Sequence, residues 1–159
     1  MHKVMIHPAT YETVKPAVER AFELFPLALK GKKVLIKPNV LRASEPREAI
    51  TTHPAVVRAV VEKVLSLGPA SLVVGDNPGL FGYGDNEESF RKTGIMEAAG
   101  RCYVNIGNEA VRKDFNPAYM PSVTVSKAAL EADILISLPR LKTHGLTVIS
   151  GAVKNSYGL

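Results

Sequence analysis

The fold is decided in the segment ADILISLPRLKTHGLTVISGAVKNSYG, residues 132–158. It begins with an apolar run from Ile134 to Leu138, which is typical of a strand buried on both faces of a parallel sheet. Arg140, Lys142 and His144 follow directly after this run. Open α/β sheets bind their ligands at the carboxyl ends of their strands. We therefore expect a functional site where this strand ends.

Strand and helix signals alternate along the rest of the chain. The predicted strands are Lys3–Ile6, Val34–Lys37, Ser71–Gly75, Arg101–Asn105, Ser122–Val125 and Ile134–Leu138. The predicted helices run from Val14 to Phe25, Pro54 to Gly68, Glu87 to Ala99 and Lys127 to Glu131. The alternation predicts a single layered α/β domain over residues 1–159, with a mainly parallel sheet and helices on both faces. We expect this domain to be the N-terminal part of a longer protein.

Composition narrows the class of protein. Hydrophobic residues make up 46% and charged residues 22%, which is ordinary for a globular domain. A single cysteine favours a reducing cytoplasm, and no apolar run approaches the roughly 20 residues of a membrane span. The net charge of +5 suits an anionic partner. Because the basic residues are scattered and Trp is absent, we expect a small anion rather than nucleic acid, and no membrane partner.

Polar residues follow three of the predicted strands. Lys37 and Asn39 follow the second, Asp76 the third and Lys142 the last, so a parallel sheet would bring them to one edge. The predicted ligand-binding residues are Lys37, Asn39, Asp76, Lys154 and Asn155. The catalytic candidates are His144, His53 and Lys142, because they titrate or carry charge at this edge. Capping and turn chemistry also explains His53 and Asp76.

Several familiar site motifs are missing from the sequence. It contains no P-loop, no Rossmann glycine fingerprint and no nucleophile elbow. Gly79, Gly82 and Gly84 have the wrong spacing for the Rossmann motif. Gly82 and Gly84 instead predict that residues 80–86 form a loop that is either mobile or close to a ligand. Two histidines with Asp76 would make only a weak metal-site pattern, so no metal ligands are assigned.

A set of motifs carries a resemblance to a known family. They are Lys37-Pro-Asn39, Thr52-His-Pro54, Gly75-Asp76 with Pro78-Gly79, Leu138-Pro-Arg-Leu-Lys-Thr-His144, Gly151-Ala-Val-Lys-Asn155 and Tyr157-Gly158. In this order, from about Val34 to Leu159, they resemble the domain of unknown function 362. The resemblance implies an iron–sulphur association, since many members carry a ferredoxin-like module with two [4Fe–4S] clusters. One cysteine cannot hold such a cluster, so any cluster would lie in further sequence or in a partner, and the chemistry would be redox.

A fainter resemblance links His144, Gly151, Lys154 and Gly158 to a stretch of nickel-pincer lactate racemases. It implies a racemase- or isomerase-like enzyme. Two general hypotheses therefore stand. In the first, the chain is an enzyme domain that binds a small carboxylate or phosphate. In the second, the same basic edge belongs to a non-catalytic ligand-binding or docking module.

Overall fold

The computed structural model describes residues 3–78, 86–145 and 147–159. Its helices are α1 (Val14–Leu24), α2 (Pro54–Ser66), α3 (Asn86–Lys92), α4 (Ile95–Ala99), α5 (Lys127–Glu131) and α6 (Ala152–Asn155). Its strands are β1 (Lys33–Pro38), β2 (Ser71–Val74), β3 (Ala110–Asp114), β4 (Ser122–Ser126), β5 (Ile134–Leu138), β6 (Lys142–His144) and β7 (Val148–Ser150). Short 3₁₀ turns occur at Pro46–Glu48, Gly100–Cys102 and Ser156–Gly158.

A three-stranded parallel sheet organises the domain, in the order β2-β1-β5. Val34 pairs with Leu72 on one side and with Ile134 on the other. The predicted parallel pairing of these three strands is therefore confirmed, with β1 at the centre. The edge of β2 carries one further parallel bridge, between Val74 and Tyr103.

The hydrophobic core lies between one face of this sheet and the helices. Val57, Val60 and Val64 of α2 pack with Val34 and Ile36 of β1, and all five side chains are buried. Their spacing of three and four residues in α2, and of two in β1, places them on one face of each element. The arrangement of helices on both faces of the sheet stays a prediction.

The expected burial of β5 on both faces is wrong for Leu135, which is 42% exposed. Ile134 and Ile136 are partly buried and pack against the core. The difference arises because successive side chains of a strand point to opposite faces, and only one face of β5 meets the helix layer. An apolar run alone does not show whether the second face is covered.

Two predicted strands are wrong as strands. The segment Lys3–Ile6 is irregular, because no neighbouring strand pairs with it within the described residues, and Val4 and Ile6 are exposed. Arg101–Asn105 begins in a 3₁₀ turn instead and pairs with β2 only through Tyr103. In both segments the β propensity is outweighed by the lack of an extended pairing partner.

Other elements differ from the predictions in extent. The expected helix from Glu87 to Ala99 is divided into α3 and α4, because Gly94 has a left-handed φ of 72° that a continuous helix does not allow. The segment Glu109–Pro121, to which no strand or helix was assigned from the sequence, contains β3, which pairs antiparallel with β4. Lys142–His144 forms β6 and pairs with β7. Residues 80–85 of the predicted glycine loop lie outside the described ranges.

None of the helices in the described ranges is long and apolar enough to cross a membrane.

Candidate functional site

A buried ion pair lies at the carboxyl ends of β1 and β2. The Lys37 ammonium donates a hydrogen bond to Oδ1 of Asp76, and both side chains are only 2% exposed. Backbone amides complete the surroundings of the carboxylate: Val40 N–H donates to Oδ2 at 2.7 Å and Asn77 N–H to Oδ1 at 2.9 Å. Burial raises the pKa of the Asp76 carboxyl, while Lys37 and the two amides act in the opposite direction.

Asn155 and Gly158 lie over this ion pair. Oδ1 of Asn155 lies 3.5 Å from the Lys37 ammonium, and its Nδ2 donates to the Lys37 carbonyl at 3.3 Å and to Ser137 Oγ at 3.0 Å. Gly158 lies so close that a Cβ there would be 2.9 Å from the carbonyl oxygen of Asn77 and 3.5 Å from the Lys37 ammonium. The ion pair is therefore covered by residues that are distant in the sequence: Asn155 lies 118 positions after Lys37.

A second cation occupies a more open position at the same edge. Lys142, on β6, donates to Oδ1 of Asn39 at 2.8 Å and to the carbonyl oxygen of Ile50. Its pKa falls to about 8 because burial disfavours the charged form, and Lys154 and Arg140 add repulsion that Asp76 partly offsets. The Lys142 ammonium is thus partly dehydrated and has positive neighbours.

Asn39 links the two groups of side chains. It is one residue from Val40, whose amide contacts Asp76, while its own side chain contacts Lys142. The Asn39 N–H donates to Thr52 Oγ1 at 2.8 Å, and the Thr52 hydroxyl donates to the Leu138 carbonyl at the end of β5. The loop after β1, the start of α2 and the end of β5 are thereby held together.

His53 caps the start of α2. Its Nδ1 accepts a hydrogen bond from Ala55 N–H at 3.2 Å, which is the capping role that the sequence also allows. Its ring stacks on Tyr11 with 3.6 Å between ring centroids, and Arg140 donates to the Tyr11 hydroxyl at 2.7 Å. Burial, together with the positive charge of Arg140, lowers the pKa of His53.

His144 lies on β6 two residues after Lys142, so both side chains are on the same face of the strand. Both are partly buried, whereas Thr143 between them is exposed. Nδ1 of His144 accepts from Thr147 N–H at 3.2 Å within the β6–β7 hairpin. Lys154, on α6, is exposed and lies near enough to Lys142 to lower the pKa of that lysine.

Six of the eight predicted site residues fall into two contact groups, while His53 contacts Tyr11 and His144 lies on β6 two residues after Lys142. The buried group is Lys37, Asp76 and Asn155, and the open group is Asn39 and Lys142 with Lys154 nearby. Tyr11 and Thr52 were not among the predicted site residues, and Arg140 was placed after the last predicted strand without being given a role. Arg140 lies two residues after the end of β5, and that position was a signal for a role at this edge. Tyr11 gives no such signal, because its partner Arg140 is 129 residues away.

The donor set does not fit an iron–sulphur cluster. The chain has one cysteine, Cys102, which is buried, and such a cluster needs about four thiolates. Across residues 3–78, 86–145 and 147–159, no group of three or more His, Cys, Asp or Glu side chains could hold a metal ion.

A family comparison covers most of the chain. The profile of the domain of unknown function DUF362 matches residues 34–159. The chain belongs to this family. The matched range of the DUF362 chain includes both contact groups and Arg140, whereas Tyr11 precedes it. The similarity to nickel-pincer lactate racemases stays a prediction.

The DUF362 chain is also similar to a curated protein, the Thylakoid-associated protein sll1697 of Synechocystis sp. (strain ATCC 27184 / PCC 6803 / Kazusa). The two are 32% identical over 131 residues, which is 80% of this chain and 39% of that protein. The DUF362 chain thus spans well under half the length of this relative. No solved structure matches the chain significantly.

Proposed function

We propose that this DUF362 chain binds a small anionic ligand, a carboxylate or a phosphate, at the carboxyl edge of its parallel sheet. The observation that supports the proposal is the unbalanced positive charge at this edge. Lys37 is neutralised by Asp76, whereas Lys142 forms no salt bridge within the described residues and is repelled by Lys154 and Arg140. An anion near Lys142 would relieve that repulsion and replace the water that the ammonium has lost.

The two contact groups have different roles in this proposal. Lys142 and Lys154 supply charge to the ligand, and Asn39 orients the Lys142 ammonium through its 2.8 Å hydrogen bond. The buried group of Lys37, Asp76 and Asn155 holds the loops in place, since those side chains contact one another rather than solvent. His144 shares the Lys142 face of β6 and is the acid–base candidate beside it.

Lys142→Met should weaken binding of acetate and of inorganic phosphate about 10- to 100-fold, as expected for losing a charged hydrogen-bond partner. Isothermal titration calorimetry measures the change. Lys113→Met is the matched control, because Lys113 is an exposed lysine of β3 and should leave both affinities unaltered. Equal affinities in the wild type and in Lys142→Met would refute the role of this lysine.

Acetate affinity should fall as the pH rises from 7 to 9. The pKa of Lys142 is about 8, so the ammonium that attracts the anion is present below that pH and lost above it. Acetate keeps its own charge across this range, which makes it a better probe than phosphate. Calorimetry at several pH values in the wild type and in Lys142→Met tests this, because the variant should lose the pH dependence. A wild-type acetate affinity that does not change with pH would contradict the role assigned to Lys142.

The pKa of Lys142 also favours a second candidate, an enzyme that transfers a proton to or from the bound anion, because groups with pKa values near neutrality suit general acid–base catalysis. His144, His53 and Lys142 are its catalytic candidates. Exchange of a carbon-bound hydrogen of a bound hydroxy acid in D₂O, followed by NMR, separates this enzyme from a non-catalytic docking module. Redox chemistry with an iron–sulphur module outside this chain belongs to the family resemblance and is likewise a prediction.

A further inference from the structure

A cavity of about 230 Å³ lies at the carboxyl end of β5, beside the first turn of α2. Val56, Leu138 and Pro139 give it apolar walls, and Tyr11, His53 and Arg140 line it as well. The rings of Tyr11 and His53 stack face to face, with 6° between their planes, so each holds the other in place at the cavity wall. Pockets for drug-sized ligands measure roughly 300–1,000 Å³, so this cavity suits a smaller molecule.

The charged and aromatic-nitrogen groups of the cavity offer donors. The Arg140 guanidinium has only donors, of which one N–H is used by the Tyr11 hydroxyl at 2.7 Å. Nδ1 of His53 accepts the Ala55 N–H, so the neutral ring carries its proton on Nε2 and donates from there. A ligand that matches these groups must therefore accept hydrogen bonds, and the positive charge of Arg140 favours an anion.

The cavity adjoins the cations at the sheet edge. Thr52 lines the cavity and accepts a hydrogen bond from the N–H of Asn39, whose side chain contacts Lys142. Arg140 lies near enough to act on the charges of both His53 and Lys142. The apolar cavity and the charged edge are therefore neighbours in the fold, connected through Thr52 and Asn39.

We infer that the cavity binds a small carboxylate with an apolar or aromatic body, with the carboxylate at Arg140 and the body against Val56, Leu138 and Pro139. The inference rests on the proposed function, since it takes the ligand to be an anion at the same edge of the sheet. It adds the chemical class of the ligand and the residues that select it. A bare phosphate would leave the apolar walls unfilled.

Calorimetry with benzoate, acetate and benzyl alcohol separates the contributions of body and charge. Benzoate should bind at least about tenfold more tightly than acetate, because its ring is transferred from water into the cavity. Benzyl alcohol should bind at least about tenfold more weakly than benzoate, because it lacks the charge for Arg140. Equal affinities for benzoate and acetate, or no detectable binding of benzoate, would overturn the inference.

Two variants test whether the ligand binds in the cavity. Val56→Phe should fill the cavity and remove the preference for benzoate while acetate affinity is retained. Arg140→Gln should lower benzoate affinity about tenfold, because it removes the positive charge. Arg140 is partly buried, and Gln keeps an N–H group that can donate to the Tyr11 hydroxyl, so we expect this variant to fold. Retention of the benzoate preference in both variants would place the ligand elsewhere and overturn the inference.

A failure of the cavity inference can be distinguished from a failure of the proposed function. If Lys142→Met weakens acetate and benzoate equally and neither ligand is preferred, the anion site stands and the cavity inference fails. If benzoate depends on Val56 and Arg140 but no anion depends on Lys142, the cavity inference stands and the assigned role of Lys142 fails. The same set of titrations distinguishes these two outcomes.

Discussion

Lys37→Met should destabilise the protein by about 3–5 kcal/mol, the usual cost of removing one partner from a buried ion pair. The change leaves the Asp76 carboxyl in the interior with its two amide donors but without its cation. Urea denaturation followed by circular dichroism gives the free energy of unfolding. A loss below about 1 kcal/mol would show that the pair is not held as a buried charge pair.

Two further variants test whether the unpaired charge of Asp76 causes the loss of stability in Lys37→Met. The double variant Lys37→Met/Asp76→Asn should recover part of the loss, because it removes the unpaired charge and keeps a side-chain oxygen for one of the two amides. The recovery is incomplete because the Val40 and Asn77 amides donate to different oxygens of Asp76, and Asn offers only one. Lys15→Met is the matched control, since Lys15 forms an exposed ion pair with Glu62 and such pairs contribute about 0–1 kcal/mol. A double variant as unstable as Lys37→Met would mean that charge burial is not the reason for the loss.

Gly75→Ala should also be strongly destabilising, by about 1–3 kcal/mol or more, because it overpacks a well-filled position. A Cβ at Gly75 would lie 2.5 Å from Cγ2 of Ile106 and 2.7 Å from the carbonyl oxygen of Val104. The backbone carbonyl cannot rotate away as a side chain could, so the segment beside β2 would have to move. The same denaturation measurement gives the size of the effect.

Gly145→Ala is the control for this prediction. Among the residues that the structure describes, and leaving aside its chain neighbours, no atom lies within 4 Å of a Cβ at Gly145. Its φ is outside the left-handed region, so the change should alter stability by less than about 0.5 kcal/mol. Because Gly75 precedes Asp76, Gly75→Ala should disturb the buried ion pair as well. Equal stability of the two alanine variants would show that the segment around Ile106 yields without cost.

The candidate site could be predicted from sequence only as a set of residues at one edge. Lys37 and Lys142 look alike in the sequence, since each is a lysine at or just after the end of an apolar strand. In the folded protein one is buried against Asp76 and the other is half-buried and free of carboxylate partners within the described ranges. Asn155 and Gly158 contribute to this difference, because both lie close to the Lys37 ammonium.

The sequence by itself determined the three parallel strands and the helix α2, because their apolar residues recur with the period of each element and that periodicity is a local property. It also determined which polar residues follow β1, β2 and β5. The tertiary structure alone decided the β6–β7 hairpin, the contact of Tyr11 with Arg140 and the burial of Lys37. Each of these depends on a partner brought close by the packing of the chain, and no local pattern of residues specifies such a partner.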